Sequence, residues 1–258
     1  MIHKLAIVHE SARIADDVEI GPWSIIGANV EIDAGTWVGP HVVINGPTKI
    51  GKNNRIFQFA SIGEISQDKK FILDDTESYL EVGDGNTIRE YCTFNRGTAQ
   101  GGGATRVGNN NWFMANTHIA HDCIVGNENI FANNVALAGH VIVGNYVGLG
   151  GYVGVHQFCN LGDHCFVAKA SYVTKDVLPY LMIAGHSPSA TGLNLVGLKR
   201  RNFSTETIEQ LKRAYKIIFR QGLTVKQAIA ELEVLLPECR EIQPLIDMLA
   251  ASNRGIVR

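Results

Sequence analysis

A large apolar residue recurs at every sixth position over most of the chain. The phase runs Val8, Ile14, Ile20, Ile26, Ile32, Val38, Ile44, Ile50, Ile56, Ile62, and later Val107, Phe113, Ile119, Val125, Phe131, Leu137, Val143, Leu149, Val155, Leu161, Val167, Val173. Neither a 3.6-residue helix nor an alternating strand has period six, but a solenoid of short strands and corners does, with one apolar side chain turned inward per segment. The pattern predicts a mainly β hexapeptide-repeat parallel β-helix. With three hexads per triangular coil, residues 18 apart stack at the inter-strand spacing of about 4.8 Å, so sequence separation converts into position. The residue after each inward position is usually Gly, Ala, Asn or Asp, which suits a corner needing φ > 0.

The phase breaks between Ile62 and Val82 and between Phe94 and Val107. A coil cannot absorb surplus residues, so two external loops are expected, at about 63–81 and 95–106, as binding elements or tolerated insertions. After Val173 the period becomes helical. Ser204 caps a run carrying Glu206, Ile208, Leu211, Tyr215 and Ile218 that stops at Gly222. Thr224 and Gln227 form a capping-box pattern for a second helix ending before Pro237, and a third run spans Ile242 to Ala251. The division expected is a β-helix over 1–191 and a helical domain over 192–258 that hides the open end of the solenoid from edge pairing.

Composition narrows the function. With 23 basic and 25 acidic residues the net charge is −2, which argues against broad nucleic-acid binding. Five cysteines without a CxxC pair make a disulfide framework unexpected and fit a reducing, cytoplasmic setting. With no signal-like start and no run of about 18 apolar residues, no transmembrane segment is expected.

Four of nine histidines fall in a narrow window: His118, His121, His140 and His156. The 18-residue step carries His121 to Gly139 and Gln157, and Asp122 to His140, so an imidazole, a glycine and an amide form an outward column with an acid and a second imidazole beside it. A coil surface needs polar residues in any case, but this density suits a general base with an exposed backbone N–H above it to hold an oxyanion. Cys123 and Cys159 read as packing residues, which favours direct transfer between two substrates. A single prism face has little concavity, so a cleft requires neighbouring prisms and a symmetric oligomer.

At these residues the chain resembles the UDP-N-acetylglucosamine O-acyltransferases that begin lipid A synthesis. The similar segments are Phe57 to Glu64, Arg96-Gly97-Thr98, Gln100 to Gly103, Asn116 to Cys123, Leu137 to His140, His156 to Cys159 and Gly197 to Arg201. The resemblance implies a left-handed β-helix, a homotrimer, and no cofactor or metal. It also implies transfer of a (3R)-3-hydroxyacyl group from acyl carrier protein to the glucosamine 3-hydroxyl of UDP-N-acetylglucosamine, His121 acting as base and Gly139 N–H as oxyanion donor. By the same resemblance Asp68, Lys70, His118, Asp122, His140, His156 and Gln157 look placed for substrate contacts. Asn194, Arg200 and Arg201 resemble the nucleotide end, where guanidinium groups suit a diphosphate. Lys199, Lys212, Arg213, Lys216 and Arg220 form a basic cluster that suits an acidic carrier protein or is simply solvated.

Some positions depart from the family pattern. The first loop is about two residues longer, over Phe71 to Ser78; Asn95 stands where relatives often have His, and Val196 where an acid is common. Lys169 occupies what resembles the acyl-length ruler, which predicts a shorter acyl preference. One alternative is a hexapeptide-repeat zinc enzyme of the carbonic anhydrase type, for which outward histidines would be ligands. A silent scaffold would have no use for the histidine column. The N-acyltransferase of the same pathway carries an added N-terminal domain, whereas hexads here begin by Val8.

Overall fold

The computed structural model describes residues 1–70 and 78–258; of the lengthened stretch Phe71 to Ser78, all but Ser78 lies outside the described residues. Two-residue strands and four-residue turns alternate to build three parallel sheets, the faces of a triangular prism. Face 1 stacks strands from Ile7–Val8 to Tyr172–Val173, face 2 from Arg13–Ile14 to Asn160–Leu161, and face 3 from Glu19–Ile20 to Leu181–Ala184. The 18-residue register holds wherever no loop intervenes: Ile119 pairs with Leu137, Leu137 with Val155, and Val155 with Val173.

The core fills the prism with two inward side chains per hexad, one more than the periodicity implies. The large residue closes each strand, as at Ile44, Ile62, Phe94, Phe113 and Phe131, all 0% exposed. A smaller residue closes each turn, and this second slot holds the buried Cys92, Cys123, Cys159 and Cys165. It also holds a ladder of asparagines. Asn111 Nδ2 donates to Asn86 Oδ1 and Gly126 O, each at 3.0 Å, while its own Oδ1 accepts the Asn129 N–H at 2.9 Å. Each amide thus satisfies backbone groups that the turn leaves open in the interior.

The turn chemistry differs from expectation. The small residue directly after the inward strand position is not the one with φ > 0; that conformation falls two residues later, on side chains as large as Trp23, Tyr91, Glu128, His140 and Phe158. Glycine is wanted first in the turn because coils approach closely there: a Cβ on Gly126 would lie 2.6 Å from the Gly144 carbonyl oxygen. The left-handed third position projects its side chain along the prism edge, so residues 18 apart stack. On the edge joining faces 3 and 1, Trp23, His41, Phe59 and Tyr91 stack at 4.9, 5.5 and 5.1 Å between centroids.

Both interruptions of the hexads fall on one edge, that joining faces 1 and 2. The first separates Ser61–Glu64 from Tyr79–Val82 and the second separates Thr93–Asn95 from Ala104–Val107. The next coil along this edge carries His121, and the one after it Gly139 and His140.

Four helices follow the prism: α1 (Leu195–Arg200), α2 (Thr205–Arg220), α3 (Val225–Leu235) and α4 (Gln243–Ala251). Ser204 accepts the Thr207 N–H as N-cap of α2, and Thr224 and Gln227 form the expected capping box on α3. Strand Ser189–Leu193 pairs antiparallel with Leu181–Ala184 and ends face 3. The chain terminus returns to the last coil, where Asp176 bridges Ile256.

Candidate active site

The edge joining faces 1 and 2 gathers the histidine column. His121 and Asp122 are the second and third residues of one turn; Gly139 and His140 hold the same places one coil on, and Gln157 and Phe158 one coil further. His140 N–H donates to His121 O at 3.1 Å, which fixes the vertical step. An ideal Cβ on Gly139 would lie 2.5 Å from His121 Cε1 and 2.7 Å from Nε2, so the imidazole rests directly on the glycine. Among the described residues the Gly139 N–H meets no hydrogen-bond acceptor. The same turn position on another edge holds Pro22 and Pro40, which have no N–H to satisfy.

Asp122 corrects the sequence reading. It was expected to face substrate, but its side chain is 0% exposed. The second loop folds over it: Asp122 Oδ1 accepts the Thr98 N–H and Oδ2 accepts the Thr98 hydroxyl, both at 2.8 Å. Gly101 lies so close that any Cβ there would overlap the carboxylate. The remaining reach of Oδ2 is to His121 Nδ1 at 2.7 Å and His140 Nε2 at 3.7 Å. Burial alone would raise the Asp122 pKa, but hydrogen bonds from His121 and Thr98 outweigh it and hold the carboxyl below its usual range. A carboxylate ionised at neutral pH is acceptor-only, so Nδ1 of His121 carries the proton and Nε2 keeps a lone pair over Gly139. The Asp122 side chain is therefore placed to orient the His121 imidazole.

His140 stands edge-on to His121, with centroids 5.2 Å apart, and stacks on Phe158 at 4.5 Å. Burial lowers its pKa, opposed by the Asp122 charge and reinforced by His121. Asp68 is close enough for its charge to act on that imidazole, and Lys70 follows in a turn in which its N–H donates to Asp68 Oδ1 at 2.9 Å. His118, outward on face 1, bonds through Nδ1 to Thr93 Oγ1 at 2.7 Å, and burial depresses its pKa as well. Gln157 is exposed. An open cleft of about 520 Å³ runs along this edge past His140, Ile142, Phe158 and Arg254.

The other expected residues lie elsewhere on the prism. Arg200 and Arg201 line a second cleft of about 700 Å³ against face 3, with Tyr146, Phe166 and Asn194. Arg201 sits over the Tyr146 ring at 4.3 Å. The Asn194 amide is already engaged, accepting the Gly197 N–H at 3.0 Å and donating to His164 O at 2.9 Å; it pins α1 to the coil. Lys169 is exposed at the edge between faces 3 and 1. One copy of the chain thus spreads its candidate residues over three edges. In the basic cluster, Lys212 pairs with Glu209 at 2.7 Å and Arg213 with Glu238 at 3.8 Å, both exposed.

Two contributors were not anticipated. Thr98 lies in the Arg96-Gly97-Thr98 motif, but nothing in the hexads says that a loop hydroxyl would reach a buried carboxylate. Arg254, six residues beyond α4 starts its last turn, has no periodic signal at all. His121, Asp122 and His140 also bring three potential ligand atoms within 4.8 Å of one another. Asp122 is, however, occupied by Thr98 and His121 and closed to solvent, so its donor set is spent on orienting an imidazole.

Comparison with known proteins identifies the family. A family model described as "Udp N-acetylglucosamine O-acyltransferase; Domain 2" matches residues 176–257, and a bacterial transferase hexapeptide model matches 104–139. The acyl-[acyl-carrier-protein]--UDP-N-acetylglucosamine O-acyltransferase of Saccharophagus degradans is 52% identical, covering 100% of this chain and 99% of the relative. The solved structure of LpxA from Acinetobacter baumannii superposes with a TM-score of 0.97 at 51% identity, covering 100% of this chain and 99% of that one. The Francisella novicida UDP-N-acetylglucosamine acyltransferase superposes at 0.98 with 46% identity, covering 100% and 94%. The zinc-enzyme alternative finds no support here. The fold is the left-handed β-helix with C-terminal helices, the protein is an acyltransferase, and the chain belongs to the UDP-N-acetylglucosamine O-acyltransferase family.

Proposed function

We propose that the protein transfers a (3R)-3-hydroxyacyl group from acyl carrier protein to the 3-hydroxyl of the glucosamine in UDP-N-acetylglucosamine, the first step of lipid A synthesis, with His121 as general base. The observation that carries this reading is the 2.7 Å bond from His121 Nδ1 to buried Asp122, which leaves Nε2 as a lone pair above the Gly139 amide. His121 Nε2 takes the hydroxyl proton as the sugar oxygen attacks the thioester carbonyl. The oxyanion is held by the Gly139 N–H. As the carbon–sulfur bond breaks, the imidazolium returns its proton to the departing thiolate, so no covalent enzyme intermediate is needed. A positioned base contributes about 10²- to 10⁴-fold and an oxyanion donor about 10²- to 10³-fold.

The working unit in this proposal is a homotrimer. It is supported by the separation of the His121 set, Arg200 with Arg201, and Lys169 onto different edges; side-by-side packing closes an edge of one prism against a face of the next. His140, Asp68 and Lys70 then hold the sugar, His118, His156 and Gln157 flank the reacting groups, and Arg200 with Arg201 face the diphosphate. Five unpaired, buried cysteines suit the cytoplasm, and no helix among the described residues is long and apolar enough to cross a membrane. The test is incubation of metal-free protein with UDP-N-acetylglucosamine and a series of hydroxyacyl carrier proteins, read by mass spectrometry. A monoacylated nucleotide sugar is expected; no product with any donor overturns the reading.

A further inference from the structure

The segment after α4 brings Asn253 and Arg254 into the cleft lined by His140 and Phe158, and it is anchored there. Beyond α4 the tail runs back to Asp176, itself 1% exposed. Ser252 Oγ donates to Asp176 Oδ2 at 2.6 Å, the Val257 N–H donates to Asp176 O at 2.8 Å, and the Asp176 N–H donates to Gly255 O at 3.0 Å. Ile256 and Val257 are buried behind this bridge. Asp176 Oδ1 also accepts the Asn160 N–H at 2.8 Å, which ties the tail to the coil carrying His156. Between these anchors Gly255 adopts φ of 72°, and the reversal turns Arg254 into the cleft lined by His140 and Phe158.

There the Arg254 guanidinium bridges two groups. Its Nε donates to Thr174 O at 3.3 Å and its Nη2 lies 3.3 Å from His156 Nδ1. The same Nδ1 is 3.1 Å from Gln157 O. These neighbours make opposite demands, because a guanidinium only donates and a carbonyl only accepts. The charged donor wins: a hydrogen bond from an ionised group is worth about 1.5–3 kcal/mol against about 0.5–1.5 kcal/mol for a neutral one. The His156 Nδ1 is therefore an acceptor, its proton sits on Nε2, and Nε2–H is available as a donor.

We propose that Arg254 is a positioning residue for acyl transfer, which fixes His156 in the Nε2–H tautomer so that the imidazole donates a hydrogen bond to an acceptor oxygen of the bound substrates. This deepens the acyltransferase reading and rests on it for the identity of those substrates. It also makes the C-terminal tail, anchored on Asp176, a structural part of the site, although its sequence lies 98 residues from His156.

The test has an arm that does not depend on turnover. In imidazole ¹⁵N spectra of the intact protein, assigned by comparison with His156→Ala, wild type is expected to show a protonated Nε2 and an unprotonated Nδ1. Arg254→Met should move His156 toward the Nδ1–H form bonded to Gln157 O, while Arg254→Lys retains part of the wild-type pattern. In the acyl-transfer assay Arg254→Met should raise KM about 2- to 13-fold, the worth of one neutral hydrogen bond, with a smaller change in kcat. On a His156→Ala background the same substitution should add almost nothing. A wild-type Nδ1–H signal, a spectrum unmoved by Arg254→Met, or additive effects in the double variant overturns the proposal. Absence of acyl transfer by wild type would sink the functional reading instead, and the spectra would still decide the tautomer.

Discussion

Gly139→Ala is a perturbation whose outcome can be worked from distances. The φ of Gly139 is not in the left-handed region, so alanine can adopt the backbone without strain, and the effect must come from the added methyl. That methyl would sit 2.5 Å from His121 Cε1 and 2.7 Å from Nε2, whereas carbon atoms prefer about 3.5–4.0 Å. The imidazole must move by about 1 Å, either losing its 2.7 Å bond to Asp122 or leaving the line between base and amide. A displacement of about 1 Å at a reacting group costs about 10²-fold, and complete loss of the base about 10²- to 10⁴-fold. We expect kcat to fall by about 10²- to 10³-fold with KM little changed. Overpacking should cost about 1–3 kcal/mol, and at about 2–4 °C per kcal/mol the melting temperature should drop by about 2–12 °C, leaving the protein folded at assay temperature. Gly27→Ala supplies the control: it lies on the same edge, far from the site, and its nearest neighbour would be a movable Asn45 side-chain oxygen at 3.1 Å. The assay is initial-rate acyl transfer alongside thermal melting. Gly139→Ala turning over within about threefold of wild type would refute the stacking of base on amide.

Other expectations follow from the same geometry. Asp122→Asn removes the ionised acceptor that fixes the His121 tautomer and should lower kcat by about 10²- to 10⁴-fold with KM nearly unchanged; a loss confined to KM would contradict the orienting role. His118 and His140 have depressed native pKa values, so the unfolded chain binds protons that the native state refuses, and stability should fall as pH drops from about 6.5 toward the native values and then level off. Melting followed from pH 7.5 to 5 should show this slope, reduced in a His118→Asn, His140→Asn double variant; an unchanged slope rules those imidazoles out. Asn111→Ala breaks the buried amide ladder and should cost about 2–5 kcal/mol while folded molecules keep their specific activity; calorimetry with active-site titration checks both halves. Mixing inactive His121→Ala chains with inactive Arg200→Ala, Arg201→Ala chains should restore part of the activity if two copies complete one site, and no recovery after subunit exchange contradicts a shared site. Lys169→Gly should shift the preferred acyl chain to greater length, and an unchanged preference removes its role as ruler.

The sequence made the scaffold readable because a coil is a rigid repeat. Once the hexad phase was known, the step of 18 placed Gly139 against His121 and His140 beside Asp122 with no further information, and both loops had to leave the prism. Helix caps at Ser204 and Thr224 were equally readable, since capping is a local hydrogen-bond demand. What escaped was what the repeat does not govern. The 18-residue step set Asp122 beside the outward column, but a loop of irregular conformation brings Thr98 and Gly101 over it. The left-handed turn residues were misplaced by two positions, since the close approach of stacked backbones, and not φ, sets where glycine is needed. Arg254 reaches the site through tertiary anchoring on Asp176, which no periodicity encodes.

The most direct test of the central claim is the turnover of His121→Ala in acyl transfer from 3-hydroxyacyl carrier protein to UDP-N-acetylglucosamine, measured with metal-free protein beside its thermal melt. The account predicts a wild-type melt within a few degrees and kcat reduced by about 10²- to 10⁴-fold. Turnover within about threefold of wild type by a fully folded His121→Ala protein would contradict it.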